Sequence, residues 1–417
     1  MNLLHIAAHL GGGVGKAHAA LRAAMPAAIR QTYLLLEQPR DRRYADEIIA
    51  GGGEIVVARD LDHIAERCRA ADIVQFEFWN HPKLFECLAR TNFPPMRSVF
   101  WSHVSGLFRP VIAPELLTAA DRFVFTTPAS MRLAEGVDRK QKDRLSSIGS
   151  GFGFPGPPPA IAMGPLPDEG MEKDIALHPH PIAYLGTVDF VKMHPGIFDV
   201  VDALSHEVVT AIWGGYDPAG EVAAKAAAMR HPQRIRLMGQ TGDPQAALQQ
   251  SQIFFYPLQP DHYGTAENAL IEAMSLGLVP VVLANPAESA IVEHGVTGFV
   301  GRSIEACAEV LDRLLASPNE TALIGGNAAK MAREKFTPQG SAGAFVDLWS
   351  SLLAFEKHDH DFAAITGTTP LDWYLATQFL PGEKPEALEA FAGANQSKGT
   401  LAHFRSAFPD HPCWNGL

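Results

Sequence analysis

Short apolar runs alternate with Ala-rich stretches of helical period along most of the chain. In the first half the runs fall at residues 3–8, 32–36, 54–58, 73–76, 98–101 and 122–126, with helical stretches such as 18–25 and 82–90 between them. This alternation predicts βα repeats and a parallel sheet. The texture then changes to a Gly/Pro-rich passage, Gly149-Ser-Gly-Phe-Gly-Phe-Pro-Gly-Pro-Pro-Pro, which can hold neither a helix nor a central strand. A second series follows at 182–185, 208–212, 235–238, 253–256 and 279–283, with helical stretches at 221–229 and 244–250. The pattern predicts an α/β protein with two Rossmann-like doubly wound domains, residues 1–150 and 181–355, joined by a linker at 151–180. A C-terminal tail, 356–417, is partly helical (371–379 and 385–392) and is expected to pack back on the body. Two such domains facing each other make a central cleft, and ligands in these sheets bind beyond the carboxyl ends of the strands.

Composition narrows this picture. At 417 residues the chain is too long for one core, and 47% hydrophobic against 19% charged residues is a folded rather than a disordered balance. The net charge of −12 makes nucleic acid an unexpected partner, although a local cluster of amides and one lysine can still hold a small anion. Cys68, Cys87, Cys307 and Cys413 lie far apart, with neither zinc-ligand nor disulfide spacing, which fits a reducing compartment. No basic leader and no apolar stretch of transmembrane length is visible, so the expectation is a cytoplasmic protein, with docking on the inner face of the membrane compatible. His358 and His360, flanked by Asp359 and Asp361, read as a solvated polar linker, and no metal is expected.

The first strand runs into His9-Leu-Gly-Gly-Gly-Val-Gly-Lys16-Ala17. A strand, a glycine loop and a helix can gather backbone N–H groups around an anion, which makes Gly12 and Gly13 candidates for lying against a bound phosphate. The phosphate-binding loop of ATPases would need glycine at Leu10 and a hydroxyl at Ala17, so Lys16 alone does not make one.

The second domain carries the sharper signal. The strand at 253–256 ends in Pro257 and leads through His262-Tyr263-Gly264-Thr265-Ala266-Glu267-Asn268 into an apolar helix, Ala269-Leu-Ile-Glu272-Ala-Met-Ser-Leu-Gly277, and then Pro280-Val-Val. The backbone of Gly264, Thr265, Ala266, Glu267 and Asn268 offers N–H donors to a diphosphate, and Glu272 can accept hydrogen bonds from vicinal hydroxyls. This segment, with His294-Gly-Val-Thr-Gly298 after it, resembles the donor-binding module of the group 1 (family 4) retaining GT-B glycosyltransferases, whose helix reads L-x-E-A-M-x-x-G. The resemblance implies that Glu272 binds the nucleotide ribose. The family's E-x7-E pair departs here, because its first glutamate, which touches the transferred sugar, falls on Gly264. Glu267, a few residues on, is a candidate replacement. Upstream, Gly186-Thr187 through Lys192 resembles the family's G-R-x-x-x-x-K, so Lys192 is expected on the donor diphosphate and Thr187 stands where arginine is usual. Gly239 belongs to a loop placed as the family's nucleobase loops are.

His103, after the strand at 98–101, fits the family's histidine near the transferred sugar. Glu77 and His81, at another strand end beside Trp79, are acceptor-side candidates. The expectation is therefore a retaining, metal-independent transfer from a nucleotide-sugar to an acceptor that the sequence does not name. His103, Lys192 and Glu272 would be the catalytic set, and the nucleotide-sugar a co-substrate rather than a cofactor. A silent sugar-nucleotide-binding protein and a nucleotide-sugar epimerase are the alternatives.

Overall fold

A computed structural model describes residues 1–39, 41–156, 179–379 and 399–415. The chain divides into two compact units, Met1–Ser150 with Pro338–Leu417 and Gly151–Thr337. Along the first unit run β1 (Asn2–Ala7), α1 (Gly12–Ala24), β2 (Arg30–Leu35), α2 (Arg43–Ala50), β3 (Glu54–Val57), α3 (Leu61–Ala70), β4 (Ile73–Phe78), α4 (Pro82–Arg90), β5 (Ser98–Ser102), α5 (Pro114–Ala119), β6 (Arg122–Phe125), α6 (Arg139–Lys142) and β7 (Leu145–Ser147). The seven strands pair in parallel in the order β3-β2-β1-β4-β5-β6-β7. Strand order reverses between β1 and β4, which opens a crevice at their carboxyl ends. Below it Phe100 stacks on Phe76 at 4.9 Å and on Phe123 at 5.9 Å, joining three strands into one core.

The second unit contains β8 (Ile182–Leu185), α7 (Ile197–Ala203), β9 (Thr210–Trp213), α8 (Glu221–Ala227), β10 (Ile235–Gly239), α9 (Pro244–Leu248), β11 (Ile253–Tyr256), α10 (Asn268–Ser275), β12 (Val279–Leu283), α11 (Pro286–Ser289), β13 (Phe299–Gly301), α12 (Ile304–Ala316) and α13 (Pro318–Lys335). Its parallel sheet has the order β10-β9-β8-β11-β12-β13, reversing between β8 and β11. The loops after β8 and β11 therefore meet at the second crevice. Residues 151–156 run along α10, where the Phe154 amide donates to Ser275 Oγ at 2.8 Å. The first part of the expected linker thus belongs to this unit; 157–178 lie outside the described residues.

The chain then returns to the first unit through α14 (Pro338–Leu352), α15 (Ala363–Thr366), α16 (Pro370–Leu375) and α17 (Leu401–Ala407). The domain end expected at 355 is therefore found between 337 and 338. The reason is the apolar stripe Ala342, Phe345, Trp349 and Leu352 on α14, which is buried in the first unit, with Phe345 4.8 Å from Trp101. Trp373, Tyr374, Leu401 and Phe404 of the tail join the core built around Phe76, Phe100 and Phe123. The helix expected at 385–392 falls outside the described residues.

Three further readings change. Helix α1 begins at Gly12, inside the glycine run, rather than at 18. The short strands β7 and β13 show no periodicity and were not anticipated as separate strands. His360 is buried rather than solvated: its ring stacks on Phe362, and its nitrogens lie 3.0 and 3.2 Å from the Ala119 and Met96 carbonyls. Among the described residues no helix is long and apolar enough to cross a membrane, and all four cysteines are free.

Candidate functional site

In the second unit the loops after β8 and β11 are zipped together. The His194 amide donates to the Pro257 carbonyl at 2.9 Å and the Gln259 amide to the Lys192 carbonyl at 2.8 Å, around an antiparallel bridge between Met193 and Leu258. This pairing carries Lys192 across the crevice to Glu267. Lys192 Nζ lies 3.0 Å from Glu267 Oε2, and the Tyr256 hydroxyl donates to the same oxygen at 2.8 Å. Both side chains of the ion pair are largely buried, at 14% and 1% exposure. Burial pushes the Glu267 carboxyl up, but Lys192, His262 and the Tyr256 hydroxyl outweigh it and hold the carboxyl below its ordinary range. Burial pulls Lys192 down, and the Glu267 charge more than restores it, so the ammonium is held above its ordinary value. The pair is charged on both sides.

Glu267 is also the only non-glycine residue with positive φ among the described residues (φ 40°, ψ 57°), at the N-cap of α10. A left-handed glutamate costs about 1–3 kcal/mol unless something repays it, and its buried ion pair does so here. A Cβ built on Gly264 would overlap Glu267 Oε1 and come within 2.6 Å of His262 Nδ1. Position 264 and the Glu267 carboxylate therefore compete for one volume, and only glycine at 264 leaves the carboxylate room. Oε1 itself meets no hydrogen-bond donor among the described residues, and His262 Nδ1 stands 4.0 Å away.

One expectation is corrected here. The Gly264 N–H is not an open anion donor, because it donates to His262 Nδ1 at 2.9 Å. His262 in turn donates from Nε2 to Glu288 Oε1 at 2.9 Å, with Asn285 Nδ2 on the same oxygen at 3.3 Å. This bracing set of His262, Glu288 and Asn285 was not read from the sequence; its signal was two polar residues inside apolar surroundings. Thr265 is buried, Ala266 half-buried and Asn268 opens α10, its Oδ1 buried without a hydrogen-bond partner among the described residues. Glu272 is 4% exposed, one turn into α10. Thr187 presents its carbonyl to the Tyr184 hydroxyl at 2.7 Å, and the Gly239 carbonyl accepts from the Gly214 amide at 2.9 Å.

In the first unit the equivalent strand ends hold a histidine-rich cluster. Glu77 is fully buried on β4. Oε1 accepts from His5 Nδ1 at 2.7 Å and Gln75 Nε2 at 3.0 Å, while Oε2 accepts from His103 Nε2 at 2.9 Å, with His18 Nε2 also at 2.9 Å. Glu77 therefore touches histidines rather than an acceptor, which corrects its expected role: alternation along β4 turns it into the protein beside Gln75. Burial opposes its charge, yet the surrounding imidazoles outweigh that and hold it well below the carboxylate range. Burial lowers His103, against the pull of Glu77. His81 is likewise buried. Its Nδ1 accepts from the Lys83 amide at 3.2 Å, capping α4, and Nε2 lies 3.5 Å from Glu37 Oε1. Of the residues read as candidates, the structure brings Glu77 and His103 together, and separately Lys192 and Glu267. His5, His18, Gln75 and Glu37 were missed. The spacing Gln75-x-Glu77 inside an apolar strand, one face and two polar groups, was the available signal.

Gly12 and Gly13 are exposed in the first turn of α1, Gly12 with φ 56°. Burial, with the Arg43 charge adding to it, lowers the Lys16 ammonium to about 8.

The model of the family described as Glycosyl transferases group 1 matches residues 180–317. No curated protein matches the chain. Among solved structures, a glycosyltransferase from Rickettsia africae is similar with a TM-score of 0.65 at 14% identity, over 85% of this chain and 98% of its own. HepE of Anabaena, in complex with UDP-glucose, is similar with a TM-score of 0.64 at 15% identity, over 84% of this chain and 100% of its own. A sucrose-phosphate synthase from Thermosynechococcus elongatus follows with a TM-score of 0.62 at 16% identity, over 85% of this chain and 100% of its own. At such identities the likeness concerns the fold: the chain is built of the two Rossmann-like units of GT-B glycosyltransferases, and its second unit carries the stretch that matches the group 1 model.

Proposed function

We propose that this chain is a glycosyltransferase that moves a sugar from a nucleotide-sugar, held by the second unit, to an acceptor hydroxyl, with retention of configuration and without a metal. The observation that carries the reading is the charged Lys192–Glu267 pair at the β8/β11 crevice, inside the segment that matches the group 1 model. The donor is taken as a UDP-sugar, since the Anabaena neighbour is in complex with UDP-glucose. The protein works in the cytoplasm, where its reduced cysteines fit.

Transfer breaks the bond between the sugar anomeric carbon and the diphosphate and forms one to the acceptor oxygen. The hydroxyl proton ends on the departing diphosphate, on the same face. Charge grows on that diphosphate as the bond breaks, and a buried ammonium at Lys192 stabilises it more than it does the ground state. Glu267 takes over the task of the family's first glutamate: Oε2 stays with Lys192 and Tyr256, and Oε1 accepts from sugar hydroxyls. Glu272 takes the ribose hydroxyls. Thr187, standing where the family has arginine, favours a second reading, nucleotide-sugar binding without turnover.

The test is release of nucleoside diphosphate from a panel of UDP-sugars with cell extract as acceptor, alongside calorimetric binding of UDP. The expected result is turnover with at least one donor, lost at least about 100-fold in Glu267→Gln with UDP affinity retained, and UDP affinity lowered in Glu272→Ala. UDP binding without turnover on any donor supports the second reading. Unchanged UDP affinity in Glu272→Ala removes α10 from the nucleotide site.

A further inference from the structure

Glu77 is a carboxylate with no exposure on a strand buried throughout. An ionised carboxylate in that position costs several kcal/mol unless donors load both oxygens. Which neighbours donate is decided by two side-chain amides whose orientation the structure fixes. Arg22 can only donate, and its Nη1 lies 2.8 Å from Gln31 Oε1, so Gln31 Nε2 is the atom that donates to His5 Nε2 at 3.0 Å. His5 therefore carries its proton on Nδ1, which faces Glu77 Oε1. In the same way Trp349 Nε1 can only donate, and it lies 2.9 Å from Gln75 Oε1, so Gln75 Nε2 donates to Glu77 Oε1. Two chains of hydrogen bonds thus start at donor-only groups and converge on Glu77 as donors. At Oε1 they leave no lone pair directed at the carboxylate, and His5 has no nitrogen free to ligate a metal, since its Nε2 lone pair is already used.

The consequence falls on His103, one residue past β5 and 5% exposed at its side chain. Its Nε2 is 2.9 Å from Glu77 Oε2, while its Nδ1 has no hydrogen-bond partner among the described residues. We infer that Glu77 is a positioning residue that locks His103 in the Nε2–H tautomer, so that His103 offers the Nδ1 lone pair to a hydroxyl of the substrate. The lock follows from this unit alone; the hydroxyl rests on the glycosyltransferase reading. Burial holds His103 neutral against the pull of Glu77, in keeping with a lone pair at Nδ1. A His103 so arranged accepts from a hydroxyl and has nothing to donate to a phosphate or carboxylate oxygen. It therefore selects for hydroxylated ligands.

Glu77→Gln makes a specific prediction. The donors His5 Nδ1 and Gln75 Nε2 hold the amide oxygen at the Oε1 position. The new amide NH2 then faces His103 Nε2 and drives its proton to Nδ1. Long-range proton–nitrogen spectra of the protein labelled with 15N-histidine, with the His103 signal identified by its loss in His103→Asn, read the tautomer directly. The wild type is expected as Nε2–H and Glu77→Gln as Nδ1–H. Turnover in Glu77→Gln should fall about 100-fold or more, as expected for a wrong tautomer, at little-changed KM for the donor, and Glu77→Asp should recover part of it. A wild-type Nδ1–H signal overturns the lock, and does so even if Glu77→Gln does not fold. A folded Glu77→Gln that keeps Nε2–H also overturns it. A tautomer flip without loss of turnover removes His103 from the substrate. A flip in a protein that turns over no donor keeps the lock and sinks the glycosyltransferase reading instead.

Discussion

Replacing Gly264 by alanine adds a single methyl group, and its effect can be worked from the packing. The φ of Gly264 is not in the left-handed region, so the backbone accepts alanine, and the loss of unfolded-state entropy alone would stabilise the protein by about 0.4–1 kcal/mol. The methyl, however, would overlap Glu267 Oε1 and come within 2.6 and 2.7 Å of the His262 ring. Neither obstacle is a flexible surface end. His262 is held by Glu288 at 2.9 Å and is 2% exposed at its side chain, and Glu267 is held by Lys192 and Tyr256. Overpacking costs about 1–3 kcal/mol if the pair stays together, and about 3–5 kcal/mol if the carboxylate is driven off Lys192. The steric cost wins. Gly264→Ala should lower the melting temperature of the second unit by several degrees, at about 2–4 °C per kcal/mol for a body of this size. Glu267→Ala removes the main obstacle, so in that background Gly264→Ala should cost at least about 1 kcal/mol less. Circular-dichroism melting of the four proteins measures this coupling. A Gly264→Ala protein melting within a degree of wild type, or four additive corners, would refute the claim that Glu267 fills the volume of position 264.

Two further outcomes follow from the same electrostatics. Lys192→Met leaves Glu267 a buried carboxylate without its cation, so the variant should lose about 3–5 kcal/mol at neutral pH and regain part of that on acidification as Glu267 takes up a proton; a stability difference from wild type that is independent of pH would argue against the charged pair. In the first unit burial lowers His5 to about 4, against an ordinary value of 6.5. Between those values the unfolded chain holds a proton that the folded one does not, so stability present above pH 6.5 is lost as the pH falls toward 4, by about 3 kcal/mol from this group alone. The lowered carboxyls of Glu77 and Glu267 extend the loss below pH 4.5. Melting temperatures recorded from pH 8 to pH 4.5 should be level at first and then decline below pH 6.5, and a flat profile between pH 7 and pH 5 would contradict the burial of a neutral His5.

The repeating apolar runs sufficed to read two doubly wound sheets, because a parallel strand buried on both faces is apolar along its length whatever it pairs with. The motif from Leu270 to Val282 likewise marked α10 and β12 locally, and Glu272 with them. The three-residue strands β7 and β13 were too short to carry a period, and the start of α1 lay hidden in glycines that a sequence reading assigns to a loop. The apolar residues of α14 recur at helical spacing, but nothing in that spacing says which core they enter.

Charge and neighbourhood were decided by tertiary structure. Residues 77 and 103 are separated by a whole βα unit, and only the pairing of β4 with β5 sets Glu77 against His103. Residues 192 and 267 are joined only because loops after β8 and β11 meet where the strand order reverses. The sequence by itself determined the α/β class, the position of helix α10 and a glycine at 264 where the resembled family has glutamate. The structure alone decided that Glu267 occupies the vacated volume and that Glu77 faces inward. The physical reason is that periodicity records which face of an element is buried, whereas a pair of charges depends on distances between elements that no local pattern encodes.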